Sequence, residues 1–209
     1  SLRFAIYGGQ AVPREFLVKM KRMAPRIGTG LGLTETAGFC TYTNVDADVD
    51  ELSQGIGYDS PLCPISIRDF MTVDGKAGAE KPKGEVGEIC FSGPQIFLGY
   101  LGDPENTART ISKDGICYTG DVGYYDARGL HFAGRAKLVI NPKGYQVFPE
   151  DVERHIQGKL RDRVGQVAVL GVAHEVFSEG IVAFVEALPG QTVTPAEVMA
   201  ACGDISSYS

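Results

Sequence analysis

Three short segments carry residue types suited to phosphate and sugar chemistry. The first is Gly28-Thr29-Gly30-Leu31-Gly32-Leu33-Thr34-Glu35-Thr36. Glycines at 28, 30 and 32 let a backbone turn sharply and approach a ligand closely, with N–H groups available to oxyanions. Thr34 has a hydroxyl to offer a phosphate. Glu35 has a carboxylate suited to Mg2+, a hard cation that takes carboxylate together with phosphate oxygens. The same string also reads as a glycine-rich turn with a helix cap at Thr34, and such strings are common. The second segment, Tyr118-Thr119-Gly120-Asp121, follows the turn Lys113-Asp114-Gly115. An aspartate fixed after a glycine turn can accept two hydrogen bonds from a cis-diol such as a ribose. Taken alone, the tetrapeptide is equally a hairpin turn. The third segment, Gly134-Arg135-Ala136-Lys137, offers a rigid guanidinium fork for a ribose or phosphate oxygen, or simply an exposed surface arginine.

The elements that must position these residues are mixed α and β. Arg3 to Tyr7 reads as a strand running straight into Gly8-Gly9. Pro13 can start a helix at its first turn, where its missing N–H costs nothing. Phe16, Met20 and Met23 then recur at helical spacing, with Val12, Leu17 and Ala24 widening the stripe. Glu15 comes early and Lys19, Lys21 and Arg22 late, which suits the helix dipole. Arg26 to Thr29 reads as a short strand, residues 44–63 as polar and turn-rich, and residues 72–84 as a solvated loop. Glu88 to Phe91 alternates like a strand with one buried face. Near Gly134 the composition shifts. Downstream, Val152, Ile156 and Leu160 fall at i, i+4 and i+8 after Pro149, the pattern of an amphipathic helix. Val167 to Val172 and Ile181 to Val185 are β-branched strand candidates, and Pro195 opens a last helix through Val198, Met199 and Cys202. This second part is a small α+β unit of about 70 residues, marginal for a core of its own.

Composition bounds the function classes. A chain of 209 residues allows one large domain or two small ones. Hydrophobic residues at 44% and charged residues at 22% describe an ordinary folded, soluble chain rather than a disordered one. Twenty Lys and Arg against 26 Asp and Glu give a net charge of −6. That balance supplies no global basic field for nucleic acid or for an anionic membrane surface, so neither is an expected partner. No apolar run reaches the ~18 residues of a membrane span, and the first residues show no apolar signal core or cleavage site. Five cysteines at 40, 63, 90, 117 and 202, without a C-x-x-C and with only three histidines, argue against a disulfide framework or a structural zinc site. A cytoplasmic setting is the expectation, with the cysteines acting mostly as small buried hydrophobes.

In order and spacing, the three segments together resemble the adenylate-forming superfamily of acyl-CoA synthetases, aryl-CoA ligases, luciferases and the adenylation domains of peptide synthetases. Gly8-Gly9-Gln10 matches its adenine-pocket segment and Gly32-Leu33-Thr34-Glu35 its Gly-x-Thr-Glu motif. Gly99-Tyr100 through Pro104, Thr107, Tyr118-Thr119-Gly120-Asp121, Gly134-Arg135 through Lys143-Gly144-Tyr145, and then Pro149, Val152 and Glu153 continue the match. The resemblance implies an α/β and α+β chain. Residues 1–134 would be the distal part of the large ATP- and acyl-binding domain. Residues 135–209 would be most of a small mobile domain, with a hinge near Gly134–Leu138. It implies that the family's phosphate loop lies before Ser1 and its late catalytic lysine beyond Ser209, so that this chain alone would form acyl-adenylate poorly.

The implied activity is that of an acyl- or aryl-CoA ligase using ATP (leaving AMP), Mg2+ and coenzyme A. A carboxylic acid is joined to AMP with release of pyrophosphate, and a thiol then displaces AMP to give a thioester. Positioning and charge stabilisation dominate such chemistry. By resemblance, Gly8, Gly9 and Gln10 border the adenine and acyl pockets. Gly30, Leu31, Gly32 and Leu33 line the nucleotide, Thr34 touches the α-phosphate and Glu35 coordinates Mg2+. Asp121 binds the ribose hydroxyls with Arg135 beside it, Tyr124 packs near the nucleotide, Lys143 and Gly144 face coenzyme A, and Leu138 is the hinge. Leu31 stands where the family usually has an aromatic residue, and Leu138 where it usually has Asp, Glu or Lys. Two alternatives stay open: an adenylation domain that loads a carrier protein, and a non-catalytic nucleotide-binding or scaffold fragment.

Overall fold

The computed structural model describes residues 2–9, 12–142, 146–176, 178–203 and 205. Gln10, Lys143 and Gly144, three of the expected site residues, lie outside the described residues. The chain divides into two units, residues 1–132 and residues 133–209.

The first unit opens with β1 (Phe4–Ile6) and continues through α1 (Arg14–Met23) to β2 (Arg26–Gly28). β1 and β2 pair in parallel, Phe4 opposite Arg26 and Ile6 opposite Gly28; a parallel pair needs a crossover, and α1 supplies it. Pro13 caps the helix rather than starting it, and its carbonyl accepts the Phe16 and Leu17 N–H groups. The line that α1 buries is Leu17, Met20 and Ala24, packed with Ile27 of β2 and with Ala47 and Leu52. Phe16 and Met23, expected in the stripe, remain 48% and 66% exposed. Both lines have helical spacing, and the partner decides between them, because one face of about 100° is all that the helix presents to the core. Leu52 belongs to α2 (Val49–Gln54), which α1 packs against. This helix occupies the stretch read from sequence as turns. Asp48 caps it, accepting the Asp50 and Glu51 N–H groups, while Glu51 reaches back to the Asp48 N–H, a capping box.

Two short antiparallel pairings follow, the first before α2 and the second spanning it. β3 (Gly32–Leu33) pairs with β4 (Gly38–Phe39), and β5 (Thr41–Tyr42) pairs with β6 (Tyr58–Asp59). The second pairing, with the turn that follows it, brings Cys63 to Cys40. The Cα atoms stand 5.3 Å apart and the sulfurs are joined as a disulfide. The cysteine pattern argued against a disulfide framework and gave no hint of this pairing. The two residues are 23 apart, with no motif around either, and only the chain reversal at 60–63 makes them neighbours. Both are fully buried.

A four-stranded sheet in the order β10-β9-β8-β7 completes the unit. Its strands are β7 (Ile65–Arg68), β8 (Gly87–Phe91), β9 (Cys117–Asp126) and β10 (Gly129–Arg135), and α3 (Pro104–Thr110) precedes β9. Ile67, Ile89, Phe91 and Leu130 join Cys40 and Cys63 in the core, with Leu31 and Leu33 packed against them. Burying each large aliphatic side chain contributes about 1.5–3 kcal/mol. Residues 88–91 are buried on both faces, not one. The second face is closed by the loop after β7, whose Gly78 N–H donates to the Tyr118 hydroxyl at 2.8 Å.

The second unit contains α4 (Pro149–Lys159), the hairpin of β11 (Val164–His174) and β12 (Ser178–Ala187), and α5 (Pro195–Ala201). α4 packs on β11, and Ile140, Val147 and Val169 form the core with Val152, Val167 and Ala183 around them. Glu153 accepts the Val169 N–H at 2.8 Å. Among the described residues no helix is long and apolar enough to cross a membrane.

Candidate functional site

The Gly28–Thr36 segment is held by threonine hydroxyls. The Thr29 N–H donates to Thr43 Oγ1 (2.9 Å), the Leu31 N–H to Thr41 Oγ1 (2.8 Å) and the Leu33 N–H to Thr36 Oγ1 (2.9 Å). These three N–H groups are therefore engaged within the chain. The expectation of a backbone cradle open to oxyanions is corrected for them. The glycines have a packing cause: a Cβ on Gly30 would collide with the Thr41 carbonyl, and one on Gly32 with the Gly38 carbonyl. Phe39 adds a link that the sequence reading missed. Its ring lies 3.0 Å from where a Cβ on Gly8 would stand and 3.5 Å from one on Gly30, so two separate expected site segments meet at one aromatic ring. Gly9 has φ +87° with open space around it.

Thr34 is exposed and Glu35 half-buried on a short 3-10 turn, Thr34–Thr36. Glu35 is gripped at both ends by the segment before α3. Its carbonyl accepts the Phe97 N–H at 2.8 Å, and its carboxylate accepts the Tyr100 hydroxyl at 2.5 Å. Phe97 and Tyr100 stack edge to face with centroids 4.9 Å apart. The Tyr100 N–H donates to Thr107 Oγ1 on α3 at 2.9 Å, and Asp103 caps that helix by accepting the Asn106 N–H. The hydrogen bond to the Glu35 carboxylate holds the Tyr100 hydroxyl above the usual tyrosine range. Among the described residues no three His, Cys, Asp or Glu side chains gather as a metal cage. One half-buried carboxylate beside an exposed hydroxyl fits a hard cation whose remaining ligands are phosphate oxygens and water.

Tyr118 to Asp121 is not a hairpin turn; it lies inside β9, on a bulge. Glu88 pairs with Val122 and Cys90 with Tyr118, so Ile89 alone faces Thr119, Gly120 and Asp121. Extra residues in a bulge lose their ladder partners. Here side chains replace them. Thr119 Oγ1 accepts the Asp121 N–H at 3.0 Å and donates to the Ile89 carbonyl at 2.7 Å. Glu88 Oε1 accepts the Gly120 N–H at 3.0 Å. Gly120 has φ +73°, a conformation that glycine adopts without strain. Asp121 is 4% exposed. Thr119 lay inside a segment that the sequence singled out, but Glu88 did not stand out; a carboxylate opening an apolar strand was its only signal.

The two carboxylate arrangements border the same strand. Burial pushes the thiol of Cys117, at the start of β9, up to about 11, with the charges of Glu35 and then Glu88 adding to it. Tyr124 of β9 stacks on His131, rings 4.4 Å apart and nearly parallel. Arg135 is exposed at the end of β10, in the second unit. Leu138 is 48% exposed on the short turn Ala136–Leu138.

Residues 1–101 match the model of the family described as "AMP-binding enzyme". These residues belong to that family. Likeness to its members extends further. The chain is 34% identical over 203 residues to 4-coumarate–CoA ligase 2 of Nicotiana tabacum, covering 95% of this chain and 36% of that enzyme. The fold matches ATP-bound MatB from Rhodopseudomonas palustris with a TM-score of 0.77 at 30% identity, over 94% of this chain and 38% of that one. It also matches o-succinylbenzoate CoA synthetase of Bacillus subtilis, solved with an acyl-adenylate, with a TM-score of 0.80 over 98% of this chain and 40% of that one. At 21% identity this last likeness concerns the fold alone. The chain thus spans a little over a third of the tobacco ligase's length.

Proposed function

We propose that these residues are the nucleotide-binding part of an AMP-forming acid–CoA ligase. The observation that carries the reading is the pair of fixed carboxylates bordering β9: Asp121 on its stapled bulge, and Glu35 held at both ends beside the Thr34 hydroxyl. A carboxylate can accept both hydroxyls of a cis-diol, and Asp121 takes the ribose of ATP in this reading. Thr34 donates to the α-phosphate. Gly8, Gly9 and the Gly30–Leu33 segment lie along the adenine. Glu35 holds Mg2+, which would neutralise phosphate charge as pyrophosphate leaves. An acid carboxylate attacks the α-phosphorus, the bond to pyrophosphate breaks, and the coenzyme A thiol then displaces AMP from the acyl-adenylate.

The test is acid-dependent exchange of pyrophosphate into ATP by the natural gene product that carries these residues, across aryl, fatty and small organic acids. Exchange with one acid class, lost about 100-fold or more in Glu35→Ala, is the expected result. AMP release would then follow addition of coenzyme A. Release with a phosphopantetheinylated carrier protein instead of coenzyme A would make the acceptor a carrier. Nucleotide binding without exchange for any acid would overturn the ligase reading.

A further inference from the structure

We propose that Glu88 is a positioning residue for Asp121: by accepting the Gly120 N–H, its carboxylate fixes the β9 bulge that presents Asp121 to a cis-diol. The proposal rests on the reading of Asp121 as the ribose-binding group. One residue of β8, Ile89, faces three of β9, so the bulge cannot be held by strand pairing alone. Thr119 secures the Asp121 N–H, and Glu88 Oε1 secures the Gly120 N–H at 3.0 Å. The two residues thus hold the consecutive amides on either side of the Gly120 Cα. A Cβ on Gly120 would meet nothing within 4 Å, so space does not demand glycine there; the backbone conformation at φ +73° does.

Glu88 is itself unusual. Only 8% of it is exposed, and its neighbours on β8, Ile89, Cys90 and Phe91, are fully buried. A carboxylate in such a position is costly unless a partner requires it. The hydrogen bond to Gly120 supplies that requirement, one residue from the group that would meet the ligand. Deleting the acceptor leaves a half-buried N–H without its partner and frees the bulge to relax.

The experiment measures binding of AMP and of 2′,3′-dideoxy-AMP by calorimetry, first to the unmodified chain. It should prefer AMP by about tenfold or more, the effect of hydrogen bonds to a charged acceptor. Asp121→Ala should abolish that preference. Glu88→Ala should bring it down to within about twofold of unity while changing dideoxy-AMP affinity less than about threefold. Glu88→Gln keeps an acceptor oxygen and should restore the preference. Should Glu88→Ala fail to fold, Glu88→Asp, one methylene too short to reach the amide, replaces it with the same expected pattern. Full preference in Glu88→Ala, or equal weakening of both ligands, overturns the positioning role alone. No preference in the unmodified chain, or a preference that survives Asp121→Ala, removes the ribose reading and this proposal with it.

Discussion

Tyr100 and Glu35, 65 residues apart in sequence, meet through a hydroxyl-to-carboxylate hydrogen bond of 2.5 Å. The Phe97 N–H holds the backbone of the same glutamate. A carboxylate tethered in this way has fewer orientations to lose when a cation arrives, which is the benefit of preorganisation.

Removing the tether should therefore weaken the cation. In Tyr100→Phe the Mg2+ concentration that half-saturates ATP binding should rise about 2- to 10-fold, the worth of one partly exposed hydrogen bond. Secondary structure should stay unchanged by circular dichroism. An unaltered Mg2+ midpoint would show that Tyr100 does not orient Glu35.

Gly30→Ala should destabilise the first unit without touching any charged group. The added methyl meets the Thr41 carbonyl, a backbone atom that cannot swing aside, and overpacking of this kind costs about 1–3 kcal/mol. Thermal unfolding reads the loss directly. An unchanged melting temperature would mean that β5 yields more easily than the hydrogen bonds between Thr41 and Leu31 suggest.

Reduction of the Cys40–Cys63 disulfide closing 23 residues should cost stability of about 3 kcal/mol by loop entropy. Denatured protein should show two additional thiols after reduction, and its melting point before denaturation should fall on adding a reductant. Equal thiol counts with and without reductant would show that the two sulfurs are not bonded in solution.

Glu88 sets a pH dependence. Burial, opposed by the Gly120 N–H and reinforced by the charge of Asp121, raises its pKa above the ordinary value of 4.5. The folded chain thus holds this proton more readily than the unfolded chain. The stability contribution is complete below the unfolded value and is lost as pH rises through the folded one. Glu88→Gln, neutral at every pH, should melt higher than the unmodified protein at pH 7, with the difference shrinking toward pH 4. A constant difference across that range would contradict the raised pKa.

Local signals in the sequence determined a good part of this protein. Proline and the spacing of Val152 and Ile156 marked α4, β-branched runs marked β11 and β12, and the order of the glycine, threonine and acidic segments pointed to nucleotide chemistry. The first two are properties of neighbours within a turn or two of chain, where period and backbone preference act; the third rests on the order of segments far apart in the chain and on the family they resemble. The Asp48 and Glu51 capping box was equally local, but the stretch that holds α2 was read as turns.

Tertiary structure decided the rest, because the deciding contacts join residues that leave no mark on each other's sequence surroundings. Leu17 and Phe16 fit the same helical period, and only packing against Ile27 and Leu52 selected Leu17. Cys40 found Cys63 through a chain reversal, and Tyr100 found Glu35 through the docking of the segment before α3. Thr119, Gly120 and Asp121 became a bulge rather than a turn because β8 offered one residue against three. The Gly120 amide that this mismatch removed from the ladder is what gives Glu88 its partner.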